Sequence, residues 1–346
     1  MRKLIVVIII GMFLILPVSA IDMDIPEVPE TAREVFPKET TSFMQDLWYI
    51  VKNGISKLRP SVLGAVKMCL SMVSISLLIS LVSHFNAKSN FVCQLVGALS
   101  VGTLMISPMN AMMTLATHTI EEMTQYSKLL LPVMTAAMAA QGSVTTSCGL
   151  YMGTAFVNSI LSSLINKILL PMILIFICLS IANCATSENV LKKLCDFVKW
   201  AMTWILKILL YVFTGYMSIT GVISGATDAS AMKATKLAIS GCVPVVGGVL
   251  SDASESILIS ATLMKNTAGI YGILAMIAIC VVPFLRIAVQ YLMLKLTSAV
   301  CAVNGAKKIN VLIESFSTAM GFMLAMTGVI CILQLISTIC FMKGVG

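Results

Sequence analysis

The sequence predicts an all-α, polytopic membrane protein, a helical bundle of about six spans with two re-entrant helical hairpins and an internal repeat. Of its 346 residues, 58% are hydrophobic and only 11% are charged, which is more apolar surface than a soluble domain of this size can bury. Apolar runs recur along the whole chain, so one integrated bundle is expected. The formal charge of +8 comes from lysines and arginines that punctuate these runs. That pattern is typical of membrane loops and does not predict a nucleic-acid partner.

The first twenty residues have the three parts of a secretory signal peptide. Arg2 and Lys3 form a basic start, Leu4 to Leu16 an apolar run, and residues 18–20 a small-residue cleavage site. An uncleaved anchor is the alternative. Both interpretations place the next segment, residues 21–61, outside the cytoplasm, ahead of a multispan membrane domain at 62–346.

The predicted exported segment has two parts. Its first half is acidic and contains three prolines, which predicts an extended, solvated chain. A helix is expected from Ser42, which forms a capping box with Gln45. The apolar face of that helix consists of Phe43, Leu47, Val51 and Ile55, with Trp48 beside it. Such a helix lies on the membrane surface, docks on a partner or packs on its own bundle, and the sequence leaves these alternatives open.

Beyond Pro60, six segments are long enough to cross a bilayer, which takes about 20 apolar residues each. They run from Val62 to Ser83, Phe91 to Leu115, Ile168 to Cys184, Phe197 to Ile219, Gly269 to Met293 and Phe316 to Phe341.

Two further apolar stretches, Leu129 to Asn166 and Leu237 to Asn266, are interrupted midway by small and polar residues. The interruptions are Gln141 to Gly149 in the first and Gly247 to Ser256 in the second. A spanning helix would hardly place such a run at its centre, so both stretches are predicted to be re-entrant hairpins. Two short crossings in each stretch are the alternative.

Prolines and glycines recur at intervals of about 112 residues, which predicts tandem units of two spans and a hairpin. Chance is the rival explanation, because both residue types are common in membrane helices. The recurring residues are Pro60, Pro171 and Pro283; Pro132 and Pro244; and Gly102, Gly215 and Gly328.

An exported amino terminus places the loops after the first, third and fifth spans in the cytoplasm. These loops and their borders are rich in lysine, in the direction of the positive-inside rule. The lysines are Lys88, Lys192, Lys193, Lys199, Lys295, Lys307 and Lys308.

Signals of catalysis, cofactor binding and metal binding are missing from the sequence. The eleven cysteines are scattered through apolar segments without a CxxC pair, as expected for small buried hydrophobes. His84 and His118 lie near span ends, apart from any cysteine or carboxylate constellation. There is no GxxxxGK[ST] motif, so ATP energy would have to come from another protein.

The second hairpin holds the most informative local stretch, GCVPVVGGVLSDASESILIS. Its glycines and proline allow a broken helix, and its two carboxylates are three residues apart and share a helical face. Such a pair within apolar surroundings indicates a lined pathway, an ion site or a partner contact. The alternative is a solvated tip at which Ser251 or Asp252 caps the returning helix. The candidate residues are Pro244, Gly247, Gly248, Asp252 and Glu255.

The run KATKLAISGCVPVVGGVLSDASESILISATLMKN and the following span with Pro283 and Arg286 resemble the stage III sporulation protein AE family. The likeness includes LLLPVMTAAMAAQGSVTTS and covers most of the chain from Leu129 onward, whereas the amino-terminal part matches in layout only. The resemblance implies a subunit of the channel-like complex that links mother cell and forespore, located in the mother-cell membrane around the forespore. The implied partners are other stage III sporulation membrane proteins, including a separate ATPase and ring-forming subunits, besides the lipid bilayer.

Two classes of function follow: a structural or conduit subunit of an export assembly, and a self-contained secondary transporter or permease. Polar groups converging at mid-membrane would favour the transporter, whereas a central seam of methionine, leucine and small residues would favour the scaffold. An enzyme is not expected, because no paired nucleophile and base is recognisable.

Overall fold

The computed structural model describes residues 25–38, 42–85, 90–141, 144–185, 191–216, 247–303 and 307–343. Within these ranges every regular element is a helix, which confirms the all-α class. The elements are α1 (Glu30–Arg33), α2 (Phe43–Ser56), α3 (Arg59–Phe85), α4 (Asn90–Ala140), α5 (Val144–Leu164), a π-helical turn (Ile165–Leu169), α6 (Leu170–Ala185), α7 (Leu191–Tyr216), α8 (Gly247–Val303) and α9 (Lys307–Lys343).

Six stretches of the described chain are long and apolar enough to cross a membrane. Each overlaps one of the six segments predicted from sequence, so the predicted number of candidate spans is confirmed. The stretches are Phe43–Val82, Val92–Ala140, Val144–Cys184, Leu191–Tyr216, Lys265–Val303 and Lys308–Met342.

The centre of the bundle is formed by α4, α8 and α9, which pack against one another. Helices α2 and α3 lie against α8, and α5 and α6 lie against α4 and α9. Glycines permit the tightest crossings. A Cβ on Gly272 would lie 2.4 Å from Leu130, and one on Gly97 would lie 2.4 Å from Ile79. Small residues at crossings bring membrane helices close enough for extensive van der Waals contact.

The predicted cytoplasmic loops meet at one end of this bundle. The Cys184 thiol at the end of α6 donates to the Lys308 carbonyl at the start of α9, over 3.1 Å. Gly97 near the start of α4 faces Ile309. Towards the opposite end, Thr31 of the amino-terminal segment contacts Glu122 of α4. The structure therefore separates the lysine-rich connections from the predicted exported segment.

The arms of the first predicted hairpin are continuous with their neighbours. Helix α4 has 51 residues, about 77 Å at 1.5 Å per residue, and its end forms the first arm. Of the predicted interruption, Gln141 to Gly149, the part from Val144 onward is helical and belongs to α5, which forms the second arm and passes through the π-helical turn into α6. These arms are thus the ends of long helices, and their re-entry into the membrane remains a prediction.

The second predicted span ends at Leu115, and helix α4 continues beyond it to Ala140 through several polar residues. The hydroxyls of Thr117, Thr119 and Thr124 donate to carbonyls four residues earlier in the helix, over 2.9, 2.7 and 2.7 Å. Because these polar groups are satisfied by the helix itself, they do not interrupt it.

The second predicted hairpin is described only from Gly247 onward. Its expected interruption, Gly247 to Ser256, is helical and belongs to α8, a helix of 57 residues. Because the described chain is helical from Gly247, Ser251 and Asp252 lie inside α8 and not at an N-cap position.

The prolines of the predicted repeat occupy different places. Pro60 is the second residue of α3, and Pro283 lies in the interior of α8. Pro171 follows the π-helical turn, in which the Leu170 amide bonds the carbonyl of Ile165. The wider turn accommodates a proline that cannot donate to the carbonyl four residues earlier. Pro132 lies within α4, and Pro244 is outside the described residues.

The glycines of the repeat differ as well. A Cβ on Gly102 would contact Ile181 at 3.4 Å, and one on Gly328 would contact Phe284 at 3.3 Å, whereas one on Gly215 would meet no described residue within 4 Å. The three positions therefore have no common packing role, and the repeat remains a prediction.

Helix α2 is present where predicted, but its capping and its buried face differ. Ser42 occupies the N-cap position in an extended conformation, and its side chain makes no capping bond. The buried face contains Ile50 and Gly54, because the glycine lets α2 approach α8 until a Cβ would lie 3.1 Å from Val281.

The predicted apolar face of α2 is largely exposed. Phe43, Trp48 and Ile55 are 40%, 68% and 55% exposed, while Leu47 is partly buried against the core. The helix thus docks on its own bundle through one face and leaves an aromatic face free for lipid or a partner.

Candidate functional site

The residues predicted to form the site begin helix α8. Gly247 and Gly248 are its first two residues, and Asp252 and Glu255 follow within its first three turns. Their spacing of three keeps the two carboxylate positions on one helical face. The side chains of Asp252 and Glu255, and all of Pro244, lie outside the described residues, so the proposed pathway or partner contact remains a prediction.

A cluster of neutral polar side chains joins α4, α5 and α9, and the sequence analysis missed it. The Asn158 amide donates to the Ser127 hydroxyl over 3.0 Å, and the Gln334 amide donates to the Asn158 carbonyl oxygen over 2.8 Å. The hydroxyls of Thr154 and Ser337 are 3.0 Å apart. All five side chains are buried. They form the amide cluster: Ser127, Thr154, Asn158, Gln334 and Ser337.

Asn158 is the centre of this cluster because its two amide atoms face different helices. It donates to α4 and accepts from α9, so one side chain fixes three helices relative to one another. Among the described residues, the side-chain oxygen of Gln334 accepts no hydrogen bond. A buried acceptor of this kind can take a hydrogen bond from water or a neutral donor. The cluster carries no formal charge, so its side chains interact through hydrogen bonds and not through ion pairs.

The remainder of the centre is apolar and rich in methionine. Nine buried methionines from α4, α8 and α9 form what we term the methionine seam. Unbranched, polarisable methionine fills irregular gaps between helices. The seam consists of Met105, Met109, Met123, Met134, Met138, Met276, Met320, Met323 and Met326.

Charged side chains lie away from both features. In the part of the chain that the structure describes, the buried charged residues are Asp46 on α2 and Lys265 on α8. Each takes part in a polar or electrostatic interaction, and neither belongs to the amide cluster or the methionine seam. The amide cluster and the methionine seam are therefore neutral, whereas Arg286 lies partly buried in the interior of α8, and its Nε is buried without a hydrogen-bond partner among the described residues.

His118 has a carboxylate neighbour, contrary to the sequence interpretation. Its Nδ1 lies 3.6 Å from Glu122 Oε2, one helical turn away. The Thr31 hydroxyl donates to the two carboxylate oxygens of Glu122, over 2.8 and 2.9 Å. The i, i+4 spacing could have revealed the histidine contact, whereas the threonine contact joins residues 91 apart.

This arrangement does not form a nucleophile and base. The hydroxyl of Thr31 bonds the carboxylate and not the imidazole, so His118 is not placed to take its proton. The contact instead fastens the amino-terminal segment to α4. In the described ranges, no group of three or more histidine, cysteine, aspartate or glutamate side chains could hold a metal ion.

Within the described residues, the fold and its centre define an all-helical membrane protein with six candidate spans and a tightly packed, methionine-rich core. The chain belongs to the stage III sporulation protein AE family, whose sequence model matches residues 37–346. The resemblance drawn from the residues is confirmed, and it begins well before Leu129. No solved structure matches the chain.

A curated relative is the stage III sporulation protein AE of Bacillus subtilis (strain 168). It is 23% identical over 222 residues, which cover 64% of this chain and 56% of the relative. The chain therefore spans little more than half the length of the curated relative that it matches.

Proposed function

We propose that this chain is a membrane subunit of a channel or export complex between mother cell and forespore, required for endospore development. Its membership in a sporulation protein family supports a role in sporulation, and the named relative is a sporulation protein. The helical architecture supports a structural or conduit role within that complex.

The observation that carries the scaffold interpretation is the neutrality of the methionine seam and the amide cluster, with Arg286 the ionisable residue that the interior of α8 adds to them. A self-contained transporter of ions or charged solutes would place ionisable groups at mid-membrane. The described centre consists of the methionine seam and the amide cluster. Packing and interhelical hydrogen bonds of this kind associate membrane helices. The bundle is thus suited to serve as a scaffold on which partner proteins act.

A secondary transporter or permease is the second candidate, and the amide cluster is the observation that favours it. Three helices converge on Asn158, and the Gln334 oxygen is left able to accept a hydrogen bond. A neutral polar solute could use such a site. Re-entrant hairpins and a repeated unit, both proposals here, would also suit a transporter.

The proposed partners are other stage III sporulation membrane proteins, including a separate ATPase and ring-forming subunits. The sequence has no GxxxxGK[ST] motif, so nucleotide energy would come from another chain. The exposed aromatic face of α2, with Phe43, Trp48 and Ile55, is available to a partner or to lipid. We place the chain as a multi-pass protein in the mother-cell membrane around the forespore, in a role that is not enzymatic.

Asp252 and Glu255 remain the proposed pathway or partner contact. Asp252→Asn combined with Glu255→Gln keeps side-chain shape and removes charge. If the pair grips a partner or lines a path, heat-resistant spore counts should fall while an immunoblot shows unchanged membrane levels. Normal sporulation at a normal level would leave this pair without a functional role.

The complex itself is tested by affinity purification of the tagged chain from sporulating cells of its own host, with mass spectrometry of co-purifying membrane proteins. We expect other stage III sporulation proteins, among them the ATPase. An unrelated tagged multispan protein of the same membrane is the control. Recovery of this chain alone, active in solute uptake after reconstitution, would favour the transporter.

A further inference from the structure

A groove of about 460 Å³ runs between α7, α8 and α9 at the lysine-rich end of the bundle. At one end it is bordered by Lys199 of α7 and Lys295 of α8. Towards the middle of the helices the walls become apolar, with Leu210 and Val329 on opposite sides. The groove therefore has a basic head and an apolar body, which is the pattern of an amphiphile with a negative head group.

Among the described residues, the basic head is only partly paired with acidic side chains. Lys295 lies 3.5 Å from Glu314, and both are substantially exposed. Among the described residues, neither Lys199 nor Lys207 belongs to an ion pair, and Lys207 lies 5.9 Å from the ring centre of Trp204. The lining hydroxyl of Thr203 donates to the carbonyl of its own helix. The ammonium groups are thus the donors available to an anion.

A row of aromatic side chains on the same helix indicates the depth of the groove in the membrane. Along α7, Phe197 stacks on Trp200 with ring centres 6.0 Å apart, and Trp204 is tilted against Trp200 at 6.2 Å; all three are exposed. Exposed aromatic side chains of this kind gather at the boundary between head groups and acyl chains. The basic end of the groove consequently lies where lipid phosphates are found.

We propose that this groove is a binding site for an anionic phospholipid. Lys199 and Lys207, assisted by Lys295, hold the phosphate, and an acyl chain lies along Leu206, Leu210 and Val329. Basic pockets between helices on the cytoplasmic side are suited to such head groups. The bound lipid would fill the gap between α7 and the central helices. The site is independent of the function proposed above.

The full-length protein purified in a mild detergent would be titrated with phosphatidylglycerol or phosphatidylcholine, and the unfolding temperature recorded. We expect phosphatidylglycerol to raise the unfolding temperature more than phosphatidylcholine does. A lysine near a membrane surface contributes about 1 kcal/mol, or about fivefold in affinity. K199Q/K207Q should therefore raise the phosphatidylglycerol concentration needed for half of the effect roughly 25-fold.

The matched control is K192Q/K193Q, which removes two exposed lysines of α7 that do not line the groove. It should keep the full phosphatidylglycerol response. Equal responses to both lipids, or equal losses of the phosphatidylglycerol response in the two double variants, would overturn the proposal that the groove binds an anionic phospholipid.

A second variant tests the apolar body of the groove. Ala325 lines it, and A325F should obstruct an acyl chain while leaving every lysine in place. We expect it to lose the phosphatidylglycerol response with unchanged helical circular dichroism. A folded A325F that responds like the wild type would show that the lysines attract lipid without a groove site. If a protein segment covers the groove, neither the wild type nor any of the variants should respond to lipid, and that result would also overturn the proposal.

Discussion

The methionine seam and the amide cluster lie in one helical core but hold it together in different ways. In the seam, flexible side chains make many weak contacts, and no single one selects its partner. In the amide cluster, Asn158 has two directed bonds, to Ser127 on α4 and to Gln334 on α9. The comparison teaches that apolar packing holds the bundle together while a few neutral hydrogen bonds determine its register.

The largest effect is expected beside the amide cluster, where α5 and α7 are in close contact. A Cβ on Gly153 would lie 1.7 Å from the Tyr216 ring, whose hydroxyl donates to the Gly149 carbonyl over 2.7 Å. G153A should cost about 1–3 kcal/mol, as overpacking does, and lower the unfolding temperature in scanning fluorimetry. Gly215 has no neighbour within 4 Å among the described residues, so G215A is the matched control. Equal effects of the two changes would contradict the close packing of α5 and α7.

Asn158→Leu is the next largest change, because it leaves the Ser127 hydroxyl and the Gln334 amide without their partner. Hydrogen bonds between membrane helices contribute about 1 kcal/mol, and a loss of this size should lower the unfolding temperature. In a double-mutant cycle, N158L and Q334L should be strongly non-additive. Asn110 is exposed, so N110L should have little effect. Additive costs would show that the two amides are not coupled.

A change within the methionine seam should cost less than one within the cluster. Met323 is fully buried, and Met323→Leu conserves volume while removing the thioether. Such exchanges are well tolerated, so we expect roughly 0.5 kcal/mol or less, measured by the same thermal unfolding. A loss as large as that of N158L would remove the distinction between the two regions.

The smallest effect is expected outside the core, at the ion pair of Glu34 and Lys57. The hydrogen bond and then the charge of Lys57 hold the pKa of Glu34 below its usual value. The pair therefore stabilises above the unfolded pKa of about 4.3, and this contribution is lost as the pH falls through the lowered folded value. Both groups are accessible to water, so salt should weaken the effect. At low salt, E34Q should flatten the acid side of a plot of unfolding temperature against pH. An unchanged slope would show that the pair does not contribute to the stability of the protein.

The sequence was sufficient to predict the helical class and the six candidate spans, because hydropathy identifies the segments that are apolar and long enough to cross a bilayer. It did not show that the helix of the second span continues past Leu115, where threonines such as Thr119 bond their own helix. It also left open which face of α2 is buried. A close approach through Gly54 depends on α8, which a local pattern does not contain.

The amide cluster could not be predicted from local patterns. Asn158 is 31 residues from Ser127 and 176 from Gln334, and each is an ordinary polar residue in an apolar helix. Only the tertiary arrangement brings them together. The His118 and Glu122 contact was accessible from spacing alone, because residues four apart on a helix are neighbours.

The central claim is that the neutral core is a scaffold, and replacing the whole amide cluster tests it most directly. Exchanging both partners of a buried hydrogen bond for apolar groups of similar shape can be nearly neutral for stability. The variant carries N158L, Q334L, S127A, T154V and S337A, and heat-resistant spores are counted beside an immunoblot of the membrane fraction. Our account predicts near-normal spore numbers at a near-normal protein level. A normal protein level with spores abolished would contradict it and assign the amide cluster to a transport path.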